Sequence, residues 1–459
     1  MTYERAFDTP FFAISDGEVS TLYNRDDMTV FTLSGDLKEL FSTIGRELRS
    51  YIPIKDNEAV TPGAHDVIAA SKNTPLSGIM LGGKPNIYKL TINIANTCNL
   101  ECAYCYADFG RYHGTAGNMT EAQCDAILNG LDRDFGSISK VQFFGGEPLL
   151  NIGVLERFCR ELSSRHSGIE FYAVSNGTTV NNKILDVLGK YKVGVTVSID
   201  GPEVVNDANR YDHSGRGSYS RIMENIKKLQ ASSIEFDVEC TFNVKHAEHG
   251  ITVVDLLDFF HDKLDRKTPH ISWSFMPGDG VEEDDSYSSD GIFRRNTASF
   301  QEQSLRLAVI EREFRRAARY SMDNLRSGNG AALTFVKGVL LDLIAKRPAT
   351  GYCPAFTSQL SIDVNGNVYP CFMFIGDNRL NCGNIIDGTY DVEKTKQIWI
   401  NYKNNFFNSQ TGVKDWHEHL NSGCVAGDYV ATGSFARRPY DEVQKAIIEE
   451  VLLGLARMQ

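Results

Sequence analysis

Three cysteines stand together in Cys98-Asn-Leu-Glu-Cys102-Ala-Tyr104-Cys105, directly after the strand-like run Ile87-Tyr-Lys-Leu-Thr-Ile-Asn-Ile94. Three thiolates can hold three irons of a cubane 4Fe–4S cluster. The fourth iron is then open to a ligand that is not protein, which makes the site reactive. A closed four-cysteine site would only store or pass electrons. Zinc is the competing metal, but it favours four closed ligands, commonly in paired C-x2-C units, and no second pair lies nearby. A disulfide framework belongs to short, cysteine-dense secreted chains.

Further residues along the chain have types suited to a polar ligand. Gly145-Gly146-Glu147-Pro148 follows a strand-like run; the glycines allow close backbone approach, and the carboxylate can accept hydrogen bonds from an ammonium group. Ser175-Asn176-Gly177 and Ser198-Ile-Asp200-Gly201 close two further runs, and Arg210 comes twelve residues after Ser198. Short polar side chains at strand ends can reach hydroxyl groups, and the planar fork of arginine suits a carboxylate. Taken singly, each of these is also compatible with an ordinary turn or a surface charge.

Elements that would position them can be read between 86 and 280. Strands are expected at 88–95, 140–144, 169–174, 193–199, 235–243 and 270–276, with helical patterns between them, such as the one that Thr120 would cap. Repeated strand–helix units imply a parallel sheet, with ligands at the C-terminal strand ends. Residues 1–80 read as a small α+β unit, with a hairpin around Asp16-Gly17 and a helix over Asp36 to Gly45. Thr61 to Pro85 reads as a Pro/Gly-punctuated linker. A helical connector is expected over 281–349, beginning with an acidic, Ser-rich loop at Glu283 to Ser288 and carrying helices at 301–326 and 330–346. A last region, 350–459, has short strands around Asn365-Gly366 and a terminal helix at Tyr440–Met458.

The C-x3-C-x2-C spacing, with Tyr104 before the last cysteine, resembles the signature of the radical S-adenosylmethionine (SAM) enzymes. The resemblance implies an α/β fold with a partial (β/α)6 barrel over 86–280. It also implies that SAM chelates the open iron and is cleaved to a 5′-deoxyadenosyl radical. Gly145, Gly146 and Glu147 would then meet the amino group of SAM, and Ser198 and Arg210 its ribose and carboxylate. Tyr104 would lie near the adenine, with Asn176 and Asp200 as further candidate contacts. Cys124, Cys159 and Cys240 fall within helix- or strand-like patterns and read as small buried hydrophobes.

Cys353, Gly366 and Cys371, followed by Gly383-Asn384-Ile385, resemble the opening of the SPASM auxiliary-cluster domain of peptide-modifying radical SAM enzymes. Of the later cysteines in that pattern only Cys424 is present, so most ligands of a second auxiliary cluster are missing. Cys353, Cys371 and Cys424 then match ligands of one auxiliary 4Fe–4S cluster. Cys382 either completes that cluster or belongs to the core. Left open, one iron could take a substrate thiolate. The loop Tyr106 to Gly114 resembles that of thioether-forming maturases of ribosomal peptides (sactipeptides and ranthipeptides). This implies a precursor peptide with a leader, which residues 1–80 would recognise by strand addition, and an external flavodoxin- or ferredoxin-type reductant.

An alternative resemblance is to anaerobic sulfatase-maturating enzymes, which make formylglycine. That type carries an Asp after the cysteine matching Cys371, where this chain has Phe372. Carbon–carbon cross-linking and epimerisation are further radical peptide chemistries, and an iron–sulfur electron carrier is the non-enzymatic alternative.

Composition bounds the rest. The 459 residues suggest two or three domains. A net charge of −12 argues against general nucleic-acid binding. The N-terminus lacks the basic start and apolar run of a signal peptide, and no apolar stretch is long enough to span a bilayer. These features point to the cytoplasm.

Overall fold

The structure is a computed structural model. It describes residues 2–5, 11–25, 27–33, 84–112, 114, 116–276, 300–328, 330–346, 355, 358–407, 416–417, 420 and 423–458. The expected helix at Asp36 to Gly45, most of the expected linker and the loop Glu283 to Ser288 lie outside these residues.

Strands are β1 Thr2–Arg5, β2 Phe11–Ser15, β3 Ser20–Asn24, β4 Thr29–Leu33, β5 Ile87–Ala95, β6 Ile138–Gly145, β7 Glu170–Ser175, β8 Gly194–Ser198, β9 Phe236–Phe242, β10 His270–Trp273, β11 Gln359–Ile362 and β12 Val368–Tyr369. Helices are α1 Glu121–Asp134, α2 Ile152–Arg165, α3 Asn182–Tyr191, α4 Glu203–Asn209, α5 Tyr219–Ala231, α6 Val244–Glu248, α7 Val253–Leu264, α8 Phe300–Ser327, α9 Thr334–Ala345, α10 Val392–Phe407, α11 Val425–Thr432 and α12 Asp441–Arg457.

Strands β5 to β10 pair in parallel and in chain order, with helices in every connection. This is the order of an open (β/α)6 barrel. Alternation along each strand sorts the two faces. Leu90, Ile92 and Ile94 of β5 and Val141 and Phe143 of β6 join Cys124, Ile127 and Phe158 of the helices in the main core. The inner face takes the intervening, mostly polar residues, such as Thr91, Asn93, Gln142, Thr196, Glu239 and Thr241. Helix starts are set by capping side chains: Thr120 accepts from the Gln123 N–H, Asn181 from Ile184 and Thr252 from Asp255.

All six barrel strands fall within a few residues of the positions expected. The C-terminal strands do something the sequence did not announce. β11 hydrogen-bonds in parallel to β5, with Thr91 opposite Ser361, and β12 returns antiparallel through the Asn365-Gly366 turn, where Gly366 has φ +85°. The barrel's first strand therefore has a neighbour on both sides.

The N-terminal strands form a separate antiparallel sheet in the order β1-β2-β3-β4. Its β2–β3 hairpin turns at Asp16-Gly17 as expected, and the sheet packs against α12. An ion network backs this contact. The fully buried Glu449 and Glu450 of α12 meet Arg315 and Arg319 of α8. Arg457 joins Glu450 to Asp16 at the hairpin turn. Burial acts against the Asp16 charge, but the Val19 and Glu18 N–H groups and Arg457 and Arg319 hold its pKa below the ordinary 3.8. Among the described residues no helix is long and apolar enough to cross a membrane.

Candidate active site

Apart from Arg210, which follows α4, the singled-out residues of the barrel lie at or after the C-terminal end of a strand, so the parallel sheet gathers them on one rim. β5 ends at Ala95 and leads to Cys98, Cys102 and Cys105; β6 ends in Gly145; β7 leads to Asn176; β8 ends at Ser198 and leads to Asp200. The three cysteines are half-buried and close enough to act on one another electrostatically. Burial pushes the Cys98 thiol up to about 11 and the Cys102 thiol to about 12. Such sulfurs hold negative charge only with a cation to compensate it. Among the described residues, no three His, Cys, Asp or Glu side chains are placed to share a single metal ion. Cysteines that each serve a different iron of a cubane need not be. A donor set made of thiolates suits an iron–sulfur cluster.

Neighbouring groups hold the cysteine loop in shape. Cys98 Sγ accepts from the Leu100 N–H (3.4 Å) and the Asn176 side-chain amide (3.7 Å), and Cys105 Sγ accepts from the Phe109 N–H (3.3 Å). After Cys105 the backbone enters the left-handed region at Asp108, Phe109 and Tyr112, a cost that surrounding contacts must sustain. Gly110 in this loop lies against Gly146: a Cβ built on Gly110 would sit 2.6 Å from the Gly146 Cα. Gly145 has φ +136°, and a Cβ there would meet the Ala95 carbonyl. Only glycine fits either position.

Glu147 is fully buried. Its Oε1 accepts from the Leu149 N–H (2.9 Å) and the Ser175 hydroxyl (2.9 Å), and its Oε2 from the Asn176 N–H (2.7 Å). Three of about four lone-pair sites are thus filled by the protein, leaving one on Oε2. Burial pushes its pKa up to about 7. Asn176 completes its own amide locally. Its Nδ2 also donates to Asn99 Oδ1, while its Oδ1 accepts from the Thr178 N–H and hydroxyl. It ties β7 to the cysteine loop.

Tyr104, Asp200 and Arg210 form one unit. The Tyr104 hydroxyl donates to Asp200 Oδ2 (2.7 Å), and Arg210 Nε lies 3.2 Å from Asp200 Oδ1. The Arg210 guanidinium also sits 5.5 Å from the centre of the Tyr104 ring, a cation–π distance. Two backbone bonds, Glu101 N–H to the Tyr211 carbonyl and Ala103 N–H to the Asn209 carbonyl, bring this arginine to the cysteine loop. The Ser198 hydroxyl donates to Glu239 Oε1 at 2.7 Å.

Sequence reasoning passed over Glu239, Asn99, and the His213 ring that bridges Glu101 and the Cys98 carbonyl. The signal for Glu239 was present: Phe236-Asp-Val-Glu-Cys-Thr-Phe242 alternates apolar and polar, so its polar positions share the inner face.

Facing the rim is a second apolar cluster that contains Cys371 and Cys382, with Cys105, Tyr106, Phe372 and Cys424 packed at its edge. The Phe372 ring lies 4.5 Å from that of Phe144, at the end of β6, and 6.5 Å from that of Tyr106. Cys382 is fully buried, with its sulfur 3.5 Å from the Leu380 carbonyl. Cys424 caps α11, accepting from the Gly427 N–H. Cys353 lies outside the described residues. Cys124, Cys159 and Cys240 are buried in the main core.

Residues 92–255 match the family model of the Radical SAM superfamily. The barrel of this chain is therefore a radical SAM domain, a class of enzyme domain that works with a 4Fe–4S cluster and SAM. The chain is 23% identical over 341 residues to the Cysteine-type anaerobic sulfatase-maturating enzyme of Clostridium novyi, covering 72% of this chain and 85% of that one. It is 27% identical over 166 residues to the Sporulation killing factor maturation protein SkfB of Bacillus subtilis, 36% of this chain and 38% of that one. The solved structure of native anSMEcpe with bound AdoMet superposes with a TM-score of 0.63 at 19% identity, covering 81% of this chain and 99% of that one, which shows a shared fold.

Proposed function

We propose that this protein is a radical SAM maturase of a ribosomal precursor peptide, and that it forms a thioether between a peptide cysteine and a carbon of another residue. The observation that carries this reading is the packing of Cys371 and Cys424 into a cluster shared with Cys105 and Tyr106. One cysteine site able to start a radical and a second able to hold a thiolate then face each other across an aromatic wall. The maturation enzymes among its relatives support a peptide or protein substrate.

When bound, the cluster and SAM supply a radical that abstracts a hydrogen atom, and the protein's part is to bind, orient and exclude water. Cys98, Cys102 and Cys105 would hold the irons. Gly145 and Gly146 give close backbone approach, and the remaining lone pair of Glu147 accepts from an amino group. Arg210, fixed by Asp200 and Tyr104, presents its terminal nitrogens to a carboxylate. Ser198, held by Glu239, keeps its oxygen available as an acceptor. Cys353, Cys371 and Cys424 would form the auxiliary site, with Cys382 left in the core, its sulfur turned to the Leu380 carbonyl. The four-stranded N-terminal sheet suits leader binding, because among the described residues its outer strands β1 and β4 each offer an edge.

Formylglycine formation is the second reading, favoured by the overall likeness to the Clostridium enzyme. Against it stands Phe372, whose ring packs on Phe144 and cannot take a proton. The test is anaerobic reaction of the reconstituted full chain with a cysteine-containing precursor peptide encoded beside its gene. Thioether formation removes two hydrogens and blocks the thiol, whereas formylglycine formation removes the sulfur. Cys98→Ala, Cys102→Ala or Cys105→Ala should abolish SAM cleavage. Cys371→Ala should keep cleavage and lose the peptide product. Equal loss of SAM binding in both sets, in folded protein, would overturn the division of labour, and a sulfur-free product would overturn the thioether.

A further inference from the structure

The cysteine loop has a packed side and an outward side. On the packed side Cys105 meets the cluster that contains Cys371, and Gly110 lies on Gly146. On the outward side Ala103 is exposed between Cys102 and Cys105, and two hydrogen-bonded routes lead from Cys98 to the surface. In the first, the His213 ring, 58% exposed, lies 2.9 Å from the Glu101 carboxylate and 3.1 Å from the Cys98 carbonyl oxygen. In the second, Asn176 Nδ2 reaches Cys98 Sγ (3.7 Å) and Asn99 Oδ1 (2.8 Å), and Asn99 Nδ2 in turn donates to the Thr178 hydroxyl (2.8 Å). Thr178 lines a hollow of about 280 Å³ whose wall includes Arg221, Glu224 and Lys228 of α5.

Cations gather around this hollow and beside His213. Arg216, 79% exposed, and Arg221 share a single carboxylate, that of Asp212, which precedes His213 in the chain. Glu224 stands one turn along α5 from Arg221. It pairs with Lys228 at 2.9 Å, and the exposed Lys227 acts on the same carboxylate. Four cations thus meet two acids, while Glu101 is matched by His213. The whole chain carries −12, so a positive excess here runs against its average charge. Electron transfer weakens steeply with distance, so a donor must seat where the cluster's ligands come nearest to the surface. Opposite charge brings it there and orients it, and a small, weak interface suffices for such an encounter.

We propose that His213, Arg216, Arg221, Lys227 and Lys228 form the docking surface for a small acidic electron-carrier protein. The carrier gives up one electron, the cluster held by Cys98, Cys102 and Cys105 gains it, and no bond or proton changes place. The cations hold carboxylates of the carrier, and the hollow at Thr178 lets it approach Asn99 and Asn176. The side of the loop toward Cys371 is left to the peptide. This inference rests on the radical SAM domain and not on which bond is made in the substrate.

The test is anaerobic stopped-flow mixing of the reconstituted full chain with reduced flavodoxin, an acidic one-electron carrier, followed by the flavin absorbance. Arg216→Glu/Lys227→Glu should slow the second-order reaction about tenfold or more. Added salt should slow the wild type and have much less effect on the double variant. Arg160→Glu, the same charge change on an exposed residue of α2, should keep the wild-type rate. The methyl viologen radical cation, a small donor of opposite charge, should reduce the double variant as fast as the wild type or faster. An unchanged flavodoxin rate in the double variant, or equal slowing by Arg160→Glu, would overturn the proposal. So would equal slowing with methyl viologen, because the defect would then lie in the cluster site. Should the double variant not assemble its cluster, Lys227→Glu alone carries the comparison, with a smaller slowing of the same sign. SAM and peptide are absent from the assay, so failure of the docking surface and failure of the thioether reading are separate results.

Discussion

Gly110 and Gly146 touch backbone to backbone: a methyl on Gly110 would lie 2.6 Å from the Gly146 Cα, and one on Gly146 would lie 2.3 Å from the Thr97 carbonyl oxygen. The loop after the third cysteine and the loop after β6 are thereby pressed into a single layer. Neither contact can be relieved by turning a side chain, because backbone atoms are on both sides.

Gly110→Ala and Gly146→Ala should each strain that layer. Overpacking costs about 1–3 kcal/mol, and at Gly110, with φ +92°, a left-handed penalty of roughly 1–2 kcal/mol adds to it. Both variants should take up less iron and sulfide on anaerobic reconstitution and melt earlier. Gly153→Ala is the control, since nothing lies within 4 Å of a Cβ there. Full cluster content in Gly110→Ala would show that the two loops move independently.

Asp200 and Arg210 are both buried. Asp200→Asn removes the carboxylate charge beside the Arg210 guanidinium and should destabilise the fold by about 3–5 kcal/mol, the usual result of leaving one member of a buried pair alone. Equilibrium binding of SAM to the reconstituted protein should weaken as well, because the arginine loses its anchor. Denaturant unfolding together with a SAM titration checks both expectations; unchanged stability would mean that Arg210 is solvated in the native protein.

His246 gives a pH dependence with a definite sign. Its Nδ1 accepts from the Asn243 N–H (3.2 Å) and its Nε2 donates to the Asp200 carbonyl (2.9 Å), an arrangement open only to the neutral ring. Burial lowers its pKa below the ordinary 6.5. Above 6.5 neither the folded nor the unfolded chain protonates it, so stability is flat. Below 6.5 the unfolded chain takes up a proton that the folded chain refuses, and stability should fall by up to about 1.4 kcal/mol per pH unit. His246→Asn should flatten that part of the profile, as read from urea unfolding at successive pH values.

The ion network between α8 and α12 predicts how the N-terminal sheet is held. Glu450 is fully buried and takes two bonds from Arg319, at 2.9 and 3.1 Å. Glu450→Ala should cost about 3–5 kcal/mol and make residues 11–33 the first segment released in limited proteolysis. Asp16→Asn should do less, because the asparagine oxygen can still accept from the Glu18 and Val19 N–H groups, and Arg457 keeps Glu450 beside it. A reversed order of the two variants would relocate the anchor to the hairpin turn.

What could be read in the sequence was what depends on neighbours in the chain. The Asp16-Gly17 hairpin, the Thr120 cap and the six barrel strands announce themselves through turn chemistry and periodicity. Parallel strands placed in chain order then bring Cys98, Gly146, Asn176 and Ser198 to one rim without further information. What escaped depends on partners distant in sequence. The pairing of Gln359–Ile362 with β5 has no local signal, since four such residues suit many edges. The use of Asn176 on Cys98 and Asn99 and the seat of Phe372 against Phe144 are also visible only once strands and loops are brought together.

The pairing of β11 with β5 has a consequence for biosynthesis. The strand that leads into the three cysteines is made early, and the strand that covers its outer edge emerges hundreds of residues later. Until then the growing polypeptide carries an unprotected β5 edge, open to pairing with other chains. A product stopped after residue 349 should therefore aggregate rather than survive as a free-standing barrel.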